Sequence, residues 1–339
     1  MSDWEKTLDN YSLMIEEKLS SLLEKETENA INYHDFIGRL YRDLREYTFR
    51  RGKRLASCST LLAYKGFNGE VDDRILDVCA GIELYRHSIL LHDDLVDNDE
   101  TRRGGSTIHN RYSHEHDIRF GDGLAVFVGN ILYTLAVKAF SSSGFESGKI
   151  VEVLNLLNDA FQAVNESQVL DLLFEYKTPD VNEWYVMASK RAASLFKASL
   201  LVGAVLADAS EKDLRLLGEA AEHIGYCFDI QDDIIDTFAS EEQYGRRPGG
   251  DLSKHKKPLH IVYAYMMADQ SRLENALEDL NKIRKVLSDC GALEEAKNRS
   301  RKHADSAKKL ISETTMSREA KDFYISFIDY VKESLNWYK

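Results

Sequence analysis

The first proline of this 339-residue chain is Pro179, and only Pro248 and Pro258 follow it. Proline breaks helices because its ring fixes φ and removes an N–H donor. Residues 1–178 are therefore open to long helices. A stripe at helical spacing, Leu154, Leu157, Ala160, Phe161 and Val164, leads on to Gln168. No run of alternating β-branched residues bounded by turn dipeptides is found. The expected fold class is all-α. No composition shift or Gly/Ser-rich linker divides the chain, so one domain, 1–339, is expected.

The spacing predicts two amphipathic helices over 1–48 and a helix start after residues 51–54. A long helix is expected from about 72 to 98, then a polar turn at 99–105 closing in Gly104-Gly105. Further helices are predicted over 124–140, 150–177, 181–207 and 214–237. Glycines and two prolines mark 243–257 as a loop, and the remainder is amphipathic and charge-rich.

Two of these helices carry the same acidic pattern, Asp93-Asp94-Leu95-Val96-Asp97 and Asp232-Asp233-Ile234-Ile235-Asp236. Each follows strongly apolar residues, Ile89-Leu90-Leu91 and Phe228 with Ile230. Unpaired buried charge is expensive, so three carboxylates in five residues of an apolar helix need a reason. The first and fifth residues of the pattern point the same way, one turn apart. Two such faces suit hard divalent cations with oxygen ligands. Mg2+ fits best, because it takes one or two carboxylates per ion and completes its shell with water and phosphate.

Net charge is −13, which argues against a nucleic-acid partner, since that would require a basic stripe. The basic residues form small clusters at 51–54, 102–103, 190–191, 246–247 and 254–257, a pattern suited to an anionic small molecule. Cys58, Cys79, Cys227 and Cys290 have no metal spacing and sit among apolar neighbours, as expected of reduced core residues in a cytoplasmic protein. The stretch His109, His114 and His116 is expected to be a solvated polar segment. No signal peptide is expected from the first residues. The apolar segments 124–140 and 192–209 are interrupted by charge and glycine, so no stable membrane insertion is expected.

These motifs, in order, resemble the trans-isoprenyl diphosphate synthase family, the farnesyl, geranylgeranyl and polyprenyl diphosphate synthases. His92 to Asp97, followed by Arg102-Arg103-Gly104-Gly105, is similar to the family's first aspartate-rich region with its double arginine. Phe228-Asp229-Ile230-Gln231-Asp232-Asp233 resembles the second. Gly52-Lys53-Arg54 resembles the upstream glycine-lysine-arginine element, Lys190 sits where the family has a lysine-threonine pair, and 245–256 resembles its last loop. The likeness runs from about residue 50 to 260.

The resemblance implies a helical bundle around a central active-site cavity, commonly a homodimer. It implies Mg2+-dependent head-to-tail condensation of isopentenyl diphosphate onto an allylic diphosphate, with two or three ions per site. Asp93, Asp94, Asp97, Asp232, Asp233 and Asp236 are the implied metal-site residues. Arg102, Lys190, Arg191, Asp229, Arg246 and Lys256 are placed at the allylic diphosphate, with Arg102 and Lys190 stabilising charge as the C–O bond ionises. Lys53, Arg54, Arg86 and Arg103 are placed at the isopentenyl diphosphate. No protein nucleophile is implied; the final proton leaves to the released diphosphate.

Four positions depart from the family pattern: Ala56 for arginine, Arg86 for histidine or glutamine, Arg191 for threonine and Asp229 for glutamine. One reading is compensation, with Arg86 replacing the arginine lost at Ala56 and Arg191 pairing with Asp229. The alternative keeps the fold and metal site but changes the chemistry, to a terpene cyclase or to prenyl transfer onto another acceptor. Ser88 and Ile89, just before the first motif, lack the aromatic ring that often floors the cavity of shorter-chain enzymes. Tyr85, one turn further, is the expected floor, implying a product of geranylgeranyl length or slightly longer.

Overall fold

The computed structural model describes residues 3–50, 52–68, 70–244 and 247–332. In chain order these form α1 (Asp3–Tyr33), α2 (Asp35–Phe49), α3 (Leu55–Asn68), α4 (Asp73–Val96), β1 (Thr101–Arg102), β2 (Gly105–Ser106), α5 (Ile108–Glu115), α6 (Ile118–Ser141) and α7 (Ser147–Tyr176). There follow α8 (Val181–Ala188), α9 (Ala192–Leu206), α10 (Glu211–Phe238), α11 (Glu241–Tyr244), α12 (Gly250–Ser253), α13 (Leu259–Met267), α14 (Gln270–Glu274), α15 (Leu280–Asp289), α16 (Ala292–Glu313) and α17 (Arg318–Val331). The all-α expectation holds, with one two-stranded hairpin added. The chain divides into two compact units, Met1–Leu154 with Val202–Asp208 (unit 1) and Asn155–Leu201 with Ala209–Lys339 (unit 2).

In unit 1, α4 packs along α6 while α1 lies against α2, α3 and α4. Asp72 starts α4 by accepting the Ile75 N–H at 3.1 Å, satisfying one donor that the helix leaves open. Ile75, Val78, Ile82, Leu84 and Leu91 of α4 are buried, each contributing roughly 1.5–3 kcal/mol. Two glycines set the approach of α4 to α6: a Cβ at Gly129 would overlap the His92 ring, and one at Gly81 would press on Phe140. The first acidic motif thus ends a helix clamped in the core, with Asp97 as its C-cap.

The expected polar turn at 99–105 is a hairpin in which Thr101 pairs with Ser106 and Arg102 with Gly105. Its central residues, Arg103 and Gly104, both have positive φ, 50° and 80°. That conformation matches the twist of a two-residue hairpin and explains Gly104. Gly105 has another reason: the Arg50 guanidinium lies against its Cα and donates to the carbonyls of Arg102 and Ser106.

In unit 2, α10 packs on α16, and α16 on α13 and α17. Ser210 caps α10, and Asp213 of its first turn accepts the Thr315 N–H at 2.7 Å. The helix expected over 181–207 is two helices, broken at Ser189-Lys190-Arg191. There the N–H groups of Lys190 and Arg191 bond to Met187 and Ala188, the tighter three-residue pitch. Gly225 of α10 leaves room for the start of α9, since a Cβ would overlap Ala193. Among its described residues, the loop expected over 243–257 begins in the last residues of α11 and carries the short helix α12.

The apolar segment expected over 124–140 belongs to a longer helix. α6 runs 24 residues and is long and apolar enough to cross a membrane, though 44% of its most apolar window is buried inside the fold. The reason is its start: Asp117 caps it by accepting the Phe120 N–H, six residues before the predicted boundary.

Candidate active site

The helical period decides which aspartates of the first motif face where. Asp93 and Asp97 share one side of α4 and are half-buried, while Asp94, about 100° round, is turned into the core. Arg102 donates through Nε to Asp94 Oδ1 and, more distantly, through Nη2 to Asp93 at 3.3 Å. Tyr47 of α2 donates to Asp94 Oδ2 at 2.6 Å. Each oxygen of Asp94 thus accepts one hydrogen bond, from Arg102 and from Tyr47, so this carboxylate orients Arg102. Burial pushes the Asp94 carboxyl up to about 6, with Arg102 opposing.

Arg103 points the other way from the hairpin, against Gly52, where a Cβ would meet its guanidinium. Burial, then Arg86 and Arg102, lower its pKa to about 10. Among the described residues it has no hydrogen-bond or ion-pair partner. Arg54 was expected beside it at a diphosphate. It is instead sealed in the core between Glu16 (2.8 Å) and Glu83 (3.0 Å), with Ser57 donating to Glu83 at 2.7 Å. Burial alone would raise the Glu83 carboxyl, but Arg54, His87 and Arg86 hold it down to about 2. The ammonium of Lys53 lies 5.9 Å from the centre of the Trp4 ring. Ala56 is buried, and Arg86 is half-buried with its field on Arg103 and Glu83. The Ser88 hydroxyl donates to the Gly129 carbonyl at 2.8 Å, and Tyr85 is fully buried 6.3 Å from Tyr133 of α6; Ile89 is half-buried.

In unit 2 the second motif lies within α10, among further carboxylates. Arg191 meets Asp229 at 3.2 Å, Asp233 at 3.6 Å and Asp171 at 3.6 Å. The expected Arg191–Asp229 ion pair is present. Lys256 meets Asp171 at 3.1 Å, and Asp236 accepts the N–H groups of Gly250 and Asp251 at 3.3 and 3.1 Å. Burial pushes Asp229 up to about 6 against the pull of Arg191, and burial likewise raises Asp233 and Asp251. Asp171 and Asp251 join Asp229, Asp232, Asp233 and Asp236 in this unit, with Arg191 and Lys256 among them. Lys190, expected beside them, is exposed and paired with Glu166 across the surface. The tight turn at 189–191 sends it outward and its neighbour Arg191 inward. Arg246 lies outside the described residues.

Sequence reasoning missed Asp171, Asp251, Tyr47 and Glu83. Asp171 left a signal, because it continues the buried stripe through Leu157, Ala160 and Val164 by one more pair of turns. Tyr47 left none.

A carboxylate surplus of this kind fits a divalent cation. Among the described residues no three histidine, cysteine, aspartate or glutamate side chains are already gathered as a ligand set. Mg2+ does not require that, since water and phosphate fill most of its shell. The histidine-rich stretch at 109–116 likewise forms no such set.

Residues 38–292 match the polyprenyl synthetase family. The chain belongs to that family. It is 32% identical over 260 residues to a short chain isoprenyl diphosphate synthase of Methanocaldococcus jannaschii, covering 77% of this chain and 76% of the relative. It is 29% identical over 294 residues to a geranylfarnesyl diphosphate synthase of Aeropyrum pernix, covering 83% and 90%. In fold it is similar to a geranylgeranyl pyrophosphate synthase of Corynebacterium glutamicum solved with isoprenyl diphosphate and magnesium. That likeness has a TM-score of 0.90 at 20% identity and covers 98% and 99% of the two chains.

Proposed function

We propose that this protein is a Mg2+-dependent prenyltransferase condensing isopentenyl diphosphate head-to-tail onto an allylic diphosphate. The product is geranylgeranyl diphosphate or one unit longer. The observation that carries the reading is Arg103. A guanidinium held among Arg54, Arg86 and Arg102, with its pKa lowered despite the field of Glu83 and no ion-pair partner among the described residues, is suited to an anion. The surplus of carboxylates in unit 2 supports the complementary half, a cation site.

Asp93, Asp97 and Asp232 would hold two or three Mg2+ ions, with Asp233 and Asp236 behind them. Bound Mg2+ would stabilise charge on the departing diphosphate. Arg102, oriented by Asp94 and Tyr47, faces the same diphosphate, and Lys256 and Arg246 complete its cations. Lys190 reaches it by leaving Glu166, a small cost because exposed pairs are weak. Arg103, Lys53 and Arg86 hold the isopentenyl diphosphate. The allylic C–O bond breaks, the isopentenyl double bond attacks the cation, and the proton lost from the adduct leaves to the released diphosphate. The two units work as one prenyl synthase domain, a reading supported by a family match that runs through both. Exposed Ile118, Val126 and Phe127 on α6 support a homodimer, working in the cytoplasm.

Incubation with Mg2+, farnesyl diphosphate and labelled isopentenyl diphosphate tests the reading. Products of geranylgeranyl length or one unit beyond are expected. With Tyr85 as floor, Tyr85→Ala lengthens them and Ser88→Phe shortens them. Cyclised products without incorporated label favour the cyclase alternative, and a wild type that stops at farnesyl refutes the chain-length assignment.

A further inference from the structure

We propose that α1 is part of the isopentenyl diphosphate site, with Trp4 and Glu16 as positioning residues for the loop at 52–54. The proposal rests on the reading of unit 1 given above. α1 ends at Tyr33, before the region that matches the family begins at residue 38.

The inner face of α1 is an apolar stripe of Leu8, Ile15, Leu19 and Leu23, all buried. Where it crosses the lysine loop its chemistry changes. Two successive cations, Lys53 and Arg54, meet two different α1 side chains. The Trp4 ring lies 5.9 Å from the Lys53 ammonium, and the Glu16 carboxylate accepts from Arg54 Nε at 2.8 Å. Arg54 has φ 50°, so the backbone turns sharply there, and its guanidinium is pinned between Glu16 and Glu83. A left-handed conformation at a non-glycine residue persists only where its surroundings hold it. Fixing Arg54 fixes the direction in which the preceding residue leaves the loop.

Trp4 then limits Lys53. A lysine side chain loses considerable rotamer freedom when it binds one phosphate, and a partner that narrows its range beforehand reduces that loss. An indole face does so without neutralising the ammonium. Gly52, on the far side of Lys53 from Arg54, packs on Arg103. The loop is thus held from the hairpin on one side and from α1 on the other.

The test is steady-state kinetics of Trp4→Leu, Trp4→Phe and Glu16→Gln with both substrates varied. Trp4→Leu should raise KM for isopentenyl diphosphate about fivefold, leaving KM for the allylic substrate and kcat near wild type. Trp4→Phe, which keeps an aromatic face, should restore most of the loss. Glu16→Gln should raise the same constant, and in the Lys53→Met background Trp4→Leu should add nothing. An unchanged isopentenyl constant in both Trp4→Leu and Glu16→Gln overturns the proposal. So do parallel changes in both Michaelis constants that track a lowered Tm. If Trp4→Leu does not fold, Glu16→Gln and the comparison of Trp4→Phe with wild type decide. A folded wild type that condenses nothing refutes the functional reading and leaves this one to calorimetry with inorganic diphosphate: Trp4→Leu must bind it more weakly than wild type, and equal affinity overturns the role of α1.

Discussion

In unit 1 the acidic motif sits among arginines, and in unit 2 the same motif sits among more carboxylates. Arg102 claims Asp94 and leans on Asp93, while Arg54, Arg86 and Arg103 crowd nearby. In unit 2, Asp171, Asp229 and Asp233 share Arg191, and Asp171 also meets Lys256. One pattern of five residues therefore serves two electrostatic settings. The first is left wanting an anion and the second a cation. The proposed metal and diphosphate substrates carry charges of the two signs that these settings ask for.

The largest effect should come from removing the half-buried cation that faces the buried aspartates of unit 2. Arg191→Met leaves Asp229 and Asp233 without their shared counterion, and breaking such a pair costs about 3–5 kcal/mol. Chemical denaturation of the metal-free protein should show that loss, and Asp229→Asn in the same background should return part of it. Strictly additive losses would mean that the contact carries no coupling, and the contrast between the units would weaken.

Next are the aspartates proposed as metal ligands. Asp93→Ala and Asp232→Ala should each lower kcat about a hundredfold, the ~3 kcal/mol typical of a lost transition-state charge interaction. They should also raise the Mg2+ concentration needed for half-maximal rate. Asp94→Asn keeps one acceptor, for Arg102, and turns its NH2 toward the Tyr47 oxygen, and should leave the Mg2+ requirement near wild type. Near-normal turnover of the first two, or an equal Mg2+ shift in all three, contradicts the division of roles read from the helix.

A smaller effect is expected at Arg86. Arg86→Gln removes one of the cations around Arg103, and the loss of one charge-assisted contact is worth about a tenfold change in binding. KM for isopentenyl diphosphate should rise and the allylic constant should move less. A larger shift on the allylic side would place Arg86 in the wrong pocket.

The helices and both acidic motifs were legible because each has a local cause. Apolar spacing and the absence of proline both act within one or two turns. The arginine swap at Arg191 and Asp229 was legible for a related reason, since charge must balance wherever the partner lies. Other features depend on contacts far apart in sequence. Tyr47 reaches Asp94 across 47 residues and Glu16 reaches Arg54 across 38; neither leaves a periodic trace. The break at 189–191 was missed because Lys190 and Arg191 are good helix formers, and what separates them is the pull of Asp229 and Asp233 on one and of Glu166 on the other. Arg54 shows what a motif leaves out: nothing in the sequence pattern marks it as buried and paired with Glu16 and Glu83.

The smallest effect tests the contrast through pH. His87, fully buried beside Glu83, is lowered from 6.5 to about 3, first by burial. The unfolded chain takes up that proton and the folded one does not. Stability owed to a neutral His87 is thus full above pH 6.5 and is lost as pH falls from there toward 3. Asp229 is the reverse case. Burial raises it from 3.8 to about 6, so its contribution is full below 3.8 and is lost as pH rises through 6. Other titrating groups in each unit blur the total, so the measurement is a difference. Stability of the metal-free wild type relative to His87→Gln should fall with acidification between pH 6 and 5. Relative to Asp229→Asn it should rise over the same interval. Each slope is bounded by one proton, about 1.4 kcal/mol per pH unit. Slopes of the same sign would mean that the two buried sites do not differ in the charge they want. Adding Mg2+ should flatten the Asp229 slope, because a bound cation favours the ionised carboxylates of unit 2.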